Sequence, residues 1–293
     1  MADVFSRNGI KVHLANTDSP TPCIIYETMQ RKLDIGVMMT ASHNPAIYNG
    51  VKVFTKGGYD ADVSFTDMIE KECETLSKTE RKESPKESRI SLFDPIKNYL
   101  DFLTSFGNGP LKNNLKIAYE NLYGTGVKTL EPLFKRLGIK EPIILHKGQK
   151  SNFGGKIPNP IPENLSALSN VVLKEKLEVG FAADSDEDRL AIIDEKGKYV
   201  SANEILCSLY YYLVVILKKK GDAVRNLATS WWLDAVANKA GFNCYETDVG
   251  FKNITRKMKE KTRFSVASQV VASRCVDISM ARIQRLLSCF SSI

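Results

Sequence analysis

The residues best suited to chemistry in the first part of the chain are Ser42 and His43, which lie in the stretch Thr40-Ala41-Ser42-His43-Asn44-Pro45. The apolar run from Ile35 to Met39 predicts a strand before this stretch, and the run from Val51 to Phe54 predicts a second strand after it. A serine at the end of a strand, with a histidine beside it and a proline stiffening the exit, is a candidate nucleophile or phosphate carrier. The alternative is a plain turn, because Ser, Asn and Pro are ordinary turn residues.

A second candidate site is the acidic stretch Asp184-Ser185-Asp186-Glu187-Asp188-Arg189, which lies between two strand-like apolar runs. Asp184, Asp186 and Asp188 stand at alternate positions and offer hard oxygen ligands of the kind that Mg²⁺ prefers. The guanidinium fork of Arg189 suits a phosphate group. The alternative is a solvated acidic turn, although so many neighbouring acids repel one another unless a cation is present.

The same acids also permit a different interpretation, a calcium-binding module. Asp184, Asp186, Asp188 and Glu195 fall at the first, third, fifth and twelfth positions of an EF-hand loop. Arg189, however, stands where that loop requires glycine, and the flanking sequences predict strands where the EF-hand has helices. A third interpretation is a phosphatase-like hydrolase that uses the acidic loop and leaves the Ser42 loop without a role.

Composition narrows the class of protein. The chain has 293 residues, an ordinary apolar content and a net charge of +7, which suits a small anionic substrate, and no basic-aromatic pattern points to nucleic acid. The six cysteines show no CxxC pairing and indicate free thiols in a reducing compartment. No signal peptide is visible, and the longest apolar run, from Ile205 to Leu217, is too short to span a bilayer. We therefore expect a cytoplasmic protein with no nucleic-acid or membrane partner, and the oligomeric state stays open.

Strand and helix patterns alternate along the chain and predict an α/β fold with mostly parallel sheets. In such folds ligands collect at the carboxyl ends of the strands, which is where both candidate loops lie. The charged stretch from Lys78 to Ser91 predicts a solvated connector between two units. In Gly124-Thr125-Gly126, which follows a predicted strand, we favour a tight turn over a phosphate-binding loop.

Together the two candidate loops resemble the phosphohexomutase family, which includes the phosphoglucomutases and phosphomannomutases. The resemblance extends to Asn49-Gly50-Val51-Lys52 and Val249-Gly250-Phe251-Lys252, and its order and spacing cover most of residues 1–262. It implies three-layer α/β/α domains with mixed sheets. The implied division is a partial domain I with the phosphoserine loop (1–92), a domain II with the metal loop (93–200) and a partial domain III (201–262).

The last part of the chain departs from the α/β pattern from about Arg263 onward. When the codons are read one frame over, residues 263–284 permit the segment LFGGESSGGFTVRGYIHGKDS, which resembles the family's sugar-reading loop. We hypothesise that residues 263–293 are an out-of-frame tail. With domains I and III incomplete and the family's phosphate-clamping domain IV absent, we expect little mutase activity from this chain. The alternative is an inactive fragment or pseudoenzyme of the same family.

The resemblance implies an intramolecular phosphotransferase that interconverts hexose 1-phosphate and hexose 6-phosphate. The sugar is expected to be glucose or mannose, and a hexose 1,6-bisphosphate serves as intermediate and activator. Ser42 would be the phosphoserine, and Asp184, Asp186 and Asp188 would bind Mg²⁺ together with the phosphate on Ser42.

The resemblance also implies roles for the basic residues around the two loops. Lys52 would act in acid/base chemistry or in charge stabilisation near the acceptor hydroxyl. His43 and Arg189 would orient phosphate oxygens, and Lys252 would approach the substrate phosphate from domain III. The chain departs from the family pattern at Ser185, where Gly or Pro is frequent, and at Glu187, where a small residue is common.

Overall fold

The computed structural model describes residues 1–76, 89–105 and 115–260. The helices of this part of the chain are α1 (Ala2–Arg7), α2 (Thr21–Gln30), α3 (Val63–Leu76), α4 (Lys97–Ser105), α5 (Val127–Arg136), α6 (Ser166–Lys174), α7 (Ala202–Tyr211), α8 (Trp232–Lys239) and α9 (Phe251–Glu260). The strands are β1 (Val12–Ala15), β2 (Ile35–Met39), β3 (Val51–Thr55), β4 (Tyr59–Asp60), β5 (Ile90–Phe93), β6 (Ile117–Glu120), β7 (Ile143–Leu145), β8 (Val179–Ala183), β9 (Leu190–Asp194), β10 (Tyr199–Val200), β11 (Ala223–Asn226) and β12 (Cys244–Thr247).

The largest described sheet has five strands in the order β10-β9-β8-β6-β7. Strands β7, β6 and β8 are parallel, whereas β9 and β10 are antiparallel to their neighbours, so the sheet is mixed. Strands β2, β3 and β4 form an antiparallel sheet, and β1–β5 and β11–β12 are parallel pairs. The α/β fold with mixed sheets that the resemblance implies is confirmed. The expectation of mostly parallel sheets is wrong, because β2, β3 and β4 pair in antiparallel fashion, as do β8, β9 and β10. Short loops join these strands in sequence and leave no room for the crossover that a parallel pair needs.

Alternation of side chains along the central strands places a helix layer on each face of the five-stranded sheet. Ile117 and Tyr119 belong to one buried cluster, while Ala118 between them belongs to the cluster on the other face. Helix α6 covers the second face through Leu168 and Val172, which are fully buried. The sheet is therefore the middle layer of an α/β/α sandwich.

The first two units share one hydrophobic core. The cluster on the first face of the central sheet contains residues of α2 and β3 as well as residues of α4 and α5. Across this boundary the rings of Tyr26 and Phe102 stack with centroids 4.6 Å apart. Because the interior is close-packed, the loops that extend from the two units are held at a defined distance from each other.

The predicted connector, Lys78 to Ser91, includes two residues that the structure places in a strand. Ile90 and Ser91 belong to strand β5, which pairs in parallel with β1 in the register Val12 to Ile90. The prediction was wrong at this point because Lys78 to Ser91 is polar throughout most of its length, and only the partner strand, distant in sequence, makes its last residues a strand. Residues 77–88 lie outside the described residues.

Two other element boundaries have local causes. Helix α2 begins at Thr21, with a proline in its first turn. Strand β11 ends at Asn226. Asn226 ends the strand because its side-chain oxygen accepts hydrogen bonds from Ala228 N and Thr229 Oγ1, both at 3.0 Å.

The apolar run from Ile205 to Leu217 forms α7 and a π-helical turn, Tyr212–Ile216. No helix within the described residues is long and apolar enough to cross a membrane. The predicted out-of-frame tail, residues 263–293, lies outside the described part of the chain, and the predicted domain boundaries stay predictions.

Removal of the buried Tyr210 hydroxyl is expected to destabilise the third unit. Tyr210 is fully buried and its hydroxyl donates a 3.0 Å hydrogen bond to the carbonyl of Gly221. In Tyr210→Phe that carbonyl loses its buried donor, which lowers the free energy of unfolding by about 1–3 kcal/mol. Urea denaturation measures the change. Tyr211→Phe is the matched control, because Tyr211 is 43% exposed, and an equal effect of both substitutions would contradict the prediction.

Candidate active site

Ser42 has a left-handed backbone, with φ of 54°, which is unfavourable for a residue with a side chain. Three hydrogen bonds hold it there. Its amide donates to Thr40 Oγ1 at 2.8 Å, its carbonyl accepts from Ser185 Oγ at 2.5 Å, and its hydroxyl donates to Asp184 Oδ2 at 3.0 Å. A plain turn does not account for these contacts, because two of the hydrogen bonds join residues more than a hundred positions apart in the chain.

Two other predicted site residues, His43 and Arg189, lie around Ser42. His43 Nδ1 lies 3.4 Å from Ser42 Oγ. Burial and then the positive charge of Arg189 lower the pKa of His43, so the ring is neutral at pH 7. The Arg189 side chain is exposed and donates a long hydrogen bond, 3.5 Å, to Asn159 Oδ1.

Lys252, the predicted residue from the third unit, is in the first turn of α9. Its side chain is outside the described part of the structure, so the structure does not show whether it joins the other predicted residues.

The acidic loop joins β8 to β9 and is largely buried. Asp184 Oδ1 accepts hydrogen bonds from the amides of Asp188 and Arg189, both at 3.0 Å, which closes the loop. Lys52 extends from β3 to the loop, and its Nζ lies 2.7 Å from Asp186 Oδ2 and 2.5 Å from Asp188 Oδ2. The structure thus brings Ser42, Lys52 and the acidic loop together, as the sequence predicts.

The electrostatics of the loop explain the position of Lys52. Burial would lower the pKa of Lys52, but the charges of Asp186 and Asp188 outweigh it and raise the pKa above its ordinary value. Burial would likewise raise the pKa of Asp186, but Lys52 and the Thr21 hydroxyl outweigh it and lower that pKa. No salt bridge joins Asp184 to a basic residue within the described part of the chain, and burial together with the charges of Asp188 and Asp186 raises its pKa well above the usual range.

These carboxylates fit a divalent cation. Asp184, Asp186 and Asp188 each offer a ligand oxygen, and the three atoms lie within 4.8 Å of one another. Asp186 Oδ1 is buried and has no hydrogen-bond partner among the described residues. A buried oxygen of this kind is stabilised by a cation, and a hard cation would also keep Asp184 ionised. The donor set, all carboxylate oxygens, suits Mg²⁺.

The calcium-binding interpretation does not fit the fold. The acidic loop is flanked by strands β8 and β9, where an EF-hand has helices. Glu195 lies in the turn between β9 and β10 and is not part of the group of ligand atoms.

Sequence reasoning missed residues that support the acidic loop from outside. Thr125 donates from its amide and its hydroxyl to the carbonyl of Ser185, at 2.9 and 3.1 Å. Thr21 donates from its amide to the carbonyl of Asp186 and from its hydroxyl to Asp186 Oδ2, at 2.9 and 2.7 Å. A threonine at or just before the start of a helix is an ordinary finding in a sequence. The two threonines therefore give no local signal that they contact the acidic loop.

The stretch Gly124-Thr125-Gly126 is a tight turn, as favoured, and it also packs against the acidic loop. The Gly124 amide donates to the carbonyl of Asn121 at 2.8 Å. A Cβ on Gly124 would stand 2.7 Å from Ser185 Cα, and one on Gly126 would stand 1.9 Å from Glu187 Oε1. Glycine is required at position 124, because a Cβ there would overlap the backbone of the acidic loop, whereas at position 126 it would meet the side chains of Glu187 and Tyr119.

Glu187 is buried behind the acidic loop and accepts a hydrogen bond from the hydroxyl of Tyr119. Burial raises the pKa of Glu187 to about 8 against the opposing effect of the Tyr119 hydrogen bond. Glu187 is therefore uncharged and faces the interior. In this it differs from the three aspartates of the same loop, which offer the candidate ligand oxygens.

A cleft of about 510 Å³ opens in front of Ser42. Its lining includes the Ser42 loop, residues of the acidic loop, Tyr123 and the segment that contains Lys150 and Phe153. Its volume lies within the range of small-molecule sites, roughly 300–1,000 Å³.

The chain matches the three family profiles of the phosphoglucomutase/phosphomannomutase α/β/α domains. Residues 1–80 match domain I, residues 97–197 match domain II and residues 201–273 match domain III. Together these ranges cover most of the chain.

The similarity to individual relatives and solved structures agrees with the match to the family profiles. A phosphoglucosamine mutase from Nautilia profundicola is 33% identical over 247 residues, which cover 83% of this chain and 55% of that protein. The chain thus spans about half the length of the curated relatives it matches. In fold it resembles a phosphoglucomutase/phosphomannomutase family protein from Burkholderia thailandensis, with a TM-score of 0.83, 20% identity and coverage of 100% of this chain and 65% of that one. It also resembles Paramecium parafusin, a phosphoglucomutase, with a TM-score of 0.78, 17% identity and coverage of 97% and 59%.

Replacement of Gly124 by alanine is expected to displace the acidic loop. The new Cβ overlaps the Ser185 backbone, and such overpacking lowers the free energy of unfolding by about 1–3 kcal/mol. Chemical denaturation measures the change. Gly148→Ala is the matched control, because nothing lies within 4 Å of a Cβ at that position. Equal stability of the two variants would contradict the proposed contact.

Mg²⁺ is expected to stabilise the folded chain through the three aspartates. At Mg²⁺ concentrations about a hundredfold above Kd the gain is about 2.7 kcal/mol, which raises Tm by several degrees. Asp186→Asn is expected to abolish this Mg²⁺-dependent rise, because the site loses one of its charges. Differential scanning calorimetry with and without Mg²⁺ measures it. Glu195→Gln, which changes an acid outside the ligand group, should keep the full rise, and its loss there would favour the calcium-binding interpretation.

Proposed function

The chain belongs to the phosphoglucomutase/phosphomannomutase family, and on that basis we propose that it is a phosphohexomutase that interconverts hexose 1-phosphate and hexose 6-phosphate through a phosphoserine. The observation that carries this proposal is the 3.0 Å hydrogen bond from Ser42 Oγ to Asp184 Oδ2. It joins the candidate phosphate carrier directly to the candidate metal loop, although the two residues are 142 positions apart.

Ser42 carries the phosphoryl group in this proposal. The bond from phosphorus to Ser42 Oγ breaks as phosphorus forms a bond to the free hydroxyl oxygen of the sugar phosphate. That hydroxyl loses its proton and Ser42 Oγ takes one up, so the products are a hexose 1,6-bisphosphate and the free Ser42 hydroxyl. After the sugar turns over, its other phosphoryl group returns to Ser42. Such transfers depend mainly on positioning and electrostatics. The three hydrogen bonds that hold Ser42 supply the positioning.

Asp184, Asp186 and Asp188 would hold Mg²⁺ together with the phosphate on Ser42. When bound there, the metal neutralises charge on the transferred phosphoryl group. Asp184 Oδ2 already accepts the hydrogen bond of the Ser42 hydroxyl, so it lies next to the proton that leaves when Ser42 takes up a phosphoryl group.

Lys52 stays protonated near neutral pH, because the neighbouring aspartates raise its pKa. We therefore assign it charge stabilisation and proton donation at the sugar oxygen in preference to the role of a base. Neutral His43, at 3.4 Å from Ser42 Oγ, orients a phosphate oxygen. Arg189, whose guanidinium is exposed, contacts the same group, and Lys252 is assigned to the substrate phosphate on the family resemblance alone.

The sugar is the open part of this proposal. The sequence favours glucose or mannose phosphate. A second candidate, glucosamine phosphate, is supported by the curated relatives, which are named phosphoglucosamine mutases. Turnover of glucose 1-phosphate, mannose 1-phosphate and glucosamine 1-phosphate by residues 1–293 compares the three, and the same assay tests the expectation of low turnover. Steady release of inorganic phosphate from these sugars would support the hydrolase alternative.

Phosphorylation of Ser42 is the direct test of the mechanism. Purified protein is incubated with glucose 1,6-bisphosphate and Mg²⁺, and intact mass and phosphopeptide mapping are expected to show one phosphate, on Ser42. Ser42→Ala is expected to abolish it, because the accepting hydroxyl is gone. Ser151→Ala is the control, since Ser151 lines the same cleft and should leave the phosphate in place. Phosphate on another residue, or on none, would contradict the proposed role of Ser42.

A further inference from the structure

Glu187 is a residue of the acidic loop to which the proposed mechanism gives no role. It stands between Asp186 and Asp188, and its side chain is fully buried. Its backbone is left-handed, with φ of 65°, which is unfavourable for a residue with a side chain. Such a conformation persists only where the surrounding structure holds it. The contacts of the Glu187 side chain therefore help to decide the shape of this half of the loop.

Two residues of the second unit fix the Glu187 carboxyl group. Its Oε1 atom accepts a hydrogen bond from the hydroxyl of Tyr119, which is also fully buried. A Cβ on Gly126 would stand 1.9 Å from Glu187 Oε1 and 2.7 Å from the Tyr119 hydroxyl oxygen. The two side chains thus fill the space that this glycine leaves open, and close packing of this kind defines their position.

Tyr119 connects Glu187 to the centre of the five-stranded sheet. It belongs to β6, which pairs with β7 on one side and with β8 on the other. Its ring packs edge-on against Phe134 of α5, with ring centroids 6.3 Å apart. Strand β8 leads directly into the acidic loop. The Tyr119 hydroxyl therefore ties the second half of the loop to the sheet from which the loop extends.

The position of Asp188 depends on this connection. Two threonines from outside the acidic loop hold its first half. In the second half the amide of Asp188 donates to Asp184 Oδ1 at 3.0 Å, and its backbone follows directly from Glu187. Displacement of Glu187 would therefore move the Asp188 carboxylate relative to that of Asp186. The spacing of the three ligand oxygens, which lie within 4.8 Å of one another, is thus linked to the Tyr119 hydrogen bond.

Mg²⁺ is more sensitive to such a displacement than Ca²⁺ is. Mg²⁺ demands near-ideal octahedral geometry at about 2.0–2.1 Å, whereas Ca²⁺ accepts flexible coordination at about 2.3–2.6 Å. We propose that Tyr119 is a positioning residue that acts through Glu187 and gives the acidic loop a preference for Mg²⁺ over larger hard cations. The inference rests on the proposed function, in which the three aspartates bind the metal.

The test measures metal affinity alone, so that it does not depend on turnover. Isothermal titration calorimetry with MgCl₂ and, separately, with CaCl₂ is made on residues 1–293 and on Tyr119→Phe, which lacks only the hydroxyl. Tyr119→Phe is expected to weaken Mg²⁺ binding about tenfold, as is typical when a partner that orients a metal ligand is lost. Ca²⁺ binding is expected to change much less, because Ca²⁺ tolerates a displaced ligand.

Tyr210→Phe is the matched control. It also removes a buried tyrosine hydroxyl, which donates to the carbonyl of Gly221 at 3.0 Å, but it lies in the third unit. It is expected to lower Tm and to leave the ratio of the Kd values for Ca²⁺ and Mg²⁺ unchanged. Glu187→Gln keeps an acceptor oxygen for the Tyr119 hydroxyl and should keep the ratio as well.

Gly126→Ala perturbs the same contact without changing either partner. The new Cβ would take the space of Glu187 Oε1, so the ratio of the two Kd values is expected to fall as it does in Tyr119→Phe. Gly126 has an ordinary helical φ of −64°, so alanine adds no backbone strain there. This variant decides the question if Tyr119→Phe does not fold.

The outcomes separate this inference from the proposed function. If the unsubstituted protein prefers Mg²⁺ and folded Tyr119→Phe keeps the same ratio, the inference is overturned and the metal role of the aspartates stands. An equal fall of the ratio in Tyr210→Phe would also overturn it, because the effect would then be one of general stability. If the unsubstituted protein binds neither cation, both the inference and the metal role of the aspartates fail.

Discussion

The structure depends on the burial of several carboxylates at the junction of the first two domains. Asp184 and Asp186 are buried, and a buried charge is stable only when it is paired, hydrogen-bonded or bound to a metal. Lys52 supplies part of this compensation from a strand of the first domain. The Asp184 carboxyl is not compensated by Lys52, and its pKa is raised. This uncompensated carboxyl makes the site suitable for a divalent cation.

This compensation is possible because the two domains share a hydrophobic core. Rings from α2 and α4 stack across the boundary, and the loops that extend from β2 and β8 therefore meet at a defined distance. Ser42 is held in an unfavourable backbone conformation by hydrogen bonds from both domains. The strain is sustained by the surrounding packing, which is the usual condition for such residues at active sites.

The sequence by itself determined the local features of this protein. The order of helices and strands, the Ser42 loop and the alternate aspartates of the acidic loop follow from patterns within a few residues, and the structure places the two loops together. Tertiary structure alone decided which other residues support them. Thr21 and Thr125 contact the acidic loop from positions far away in the chain, Ser185 joins that loop to the Ser42 loop, and β5 becomes a strand only through its pairing with β1. The physical reason is that hydrogen bonds and packing between distant segments leave no periodic signal in either segment. Turns and apolar alternation, in contrast, depend on the types of residues that are neighbours in the chain.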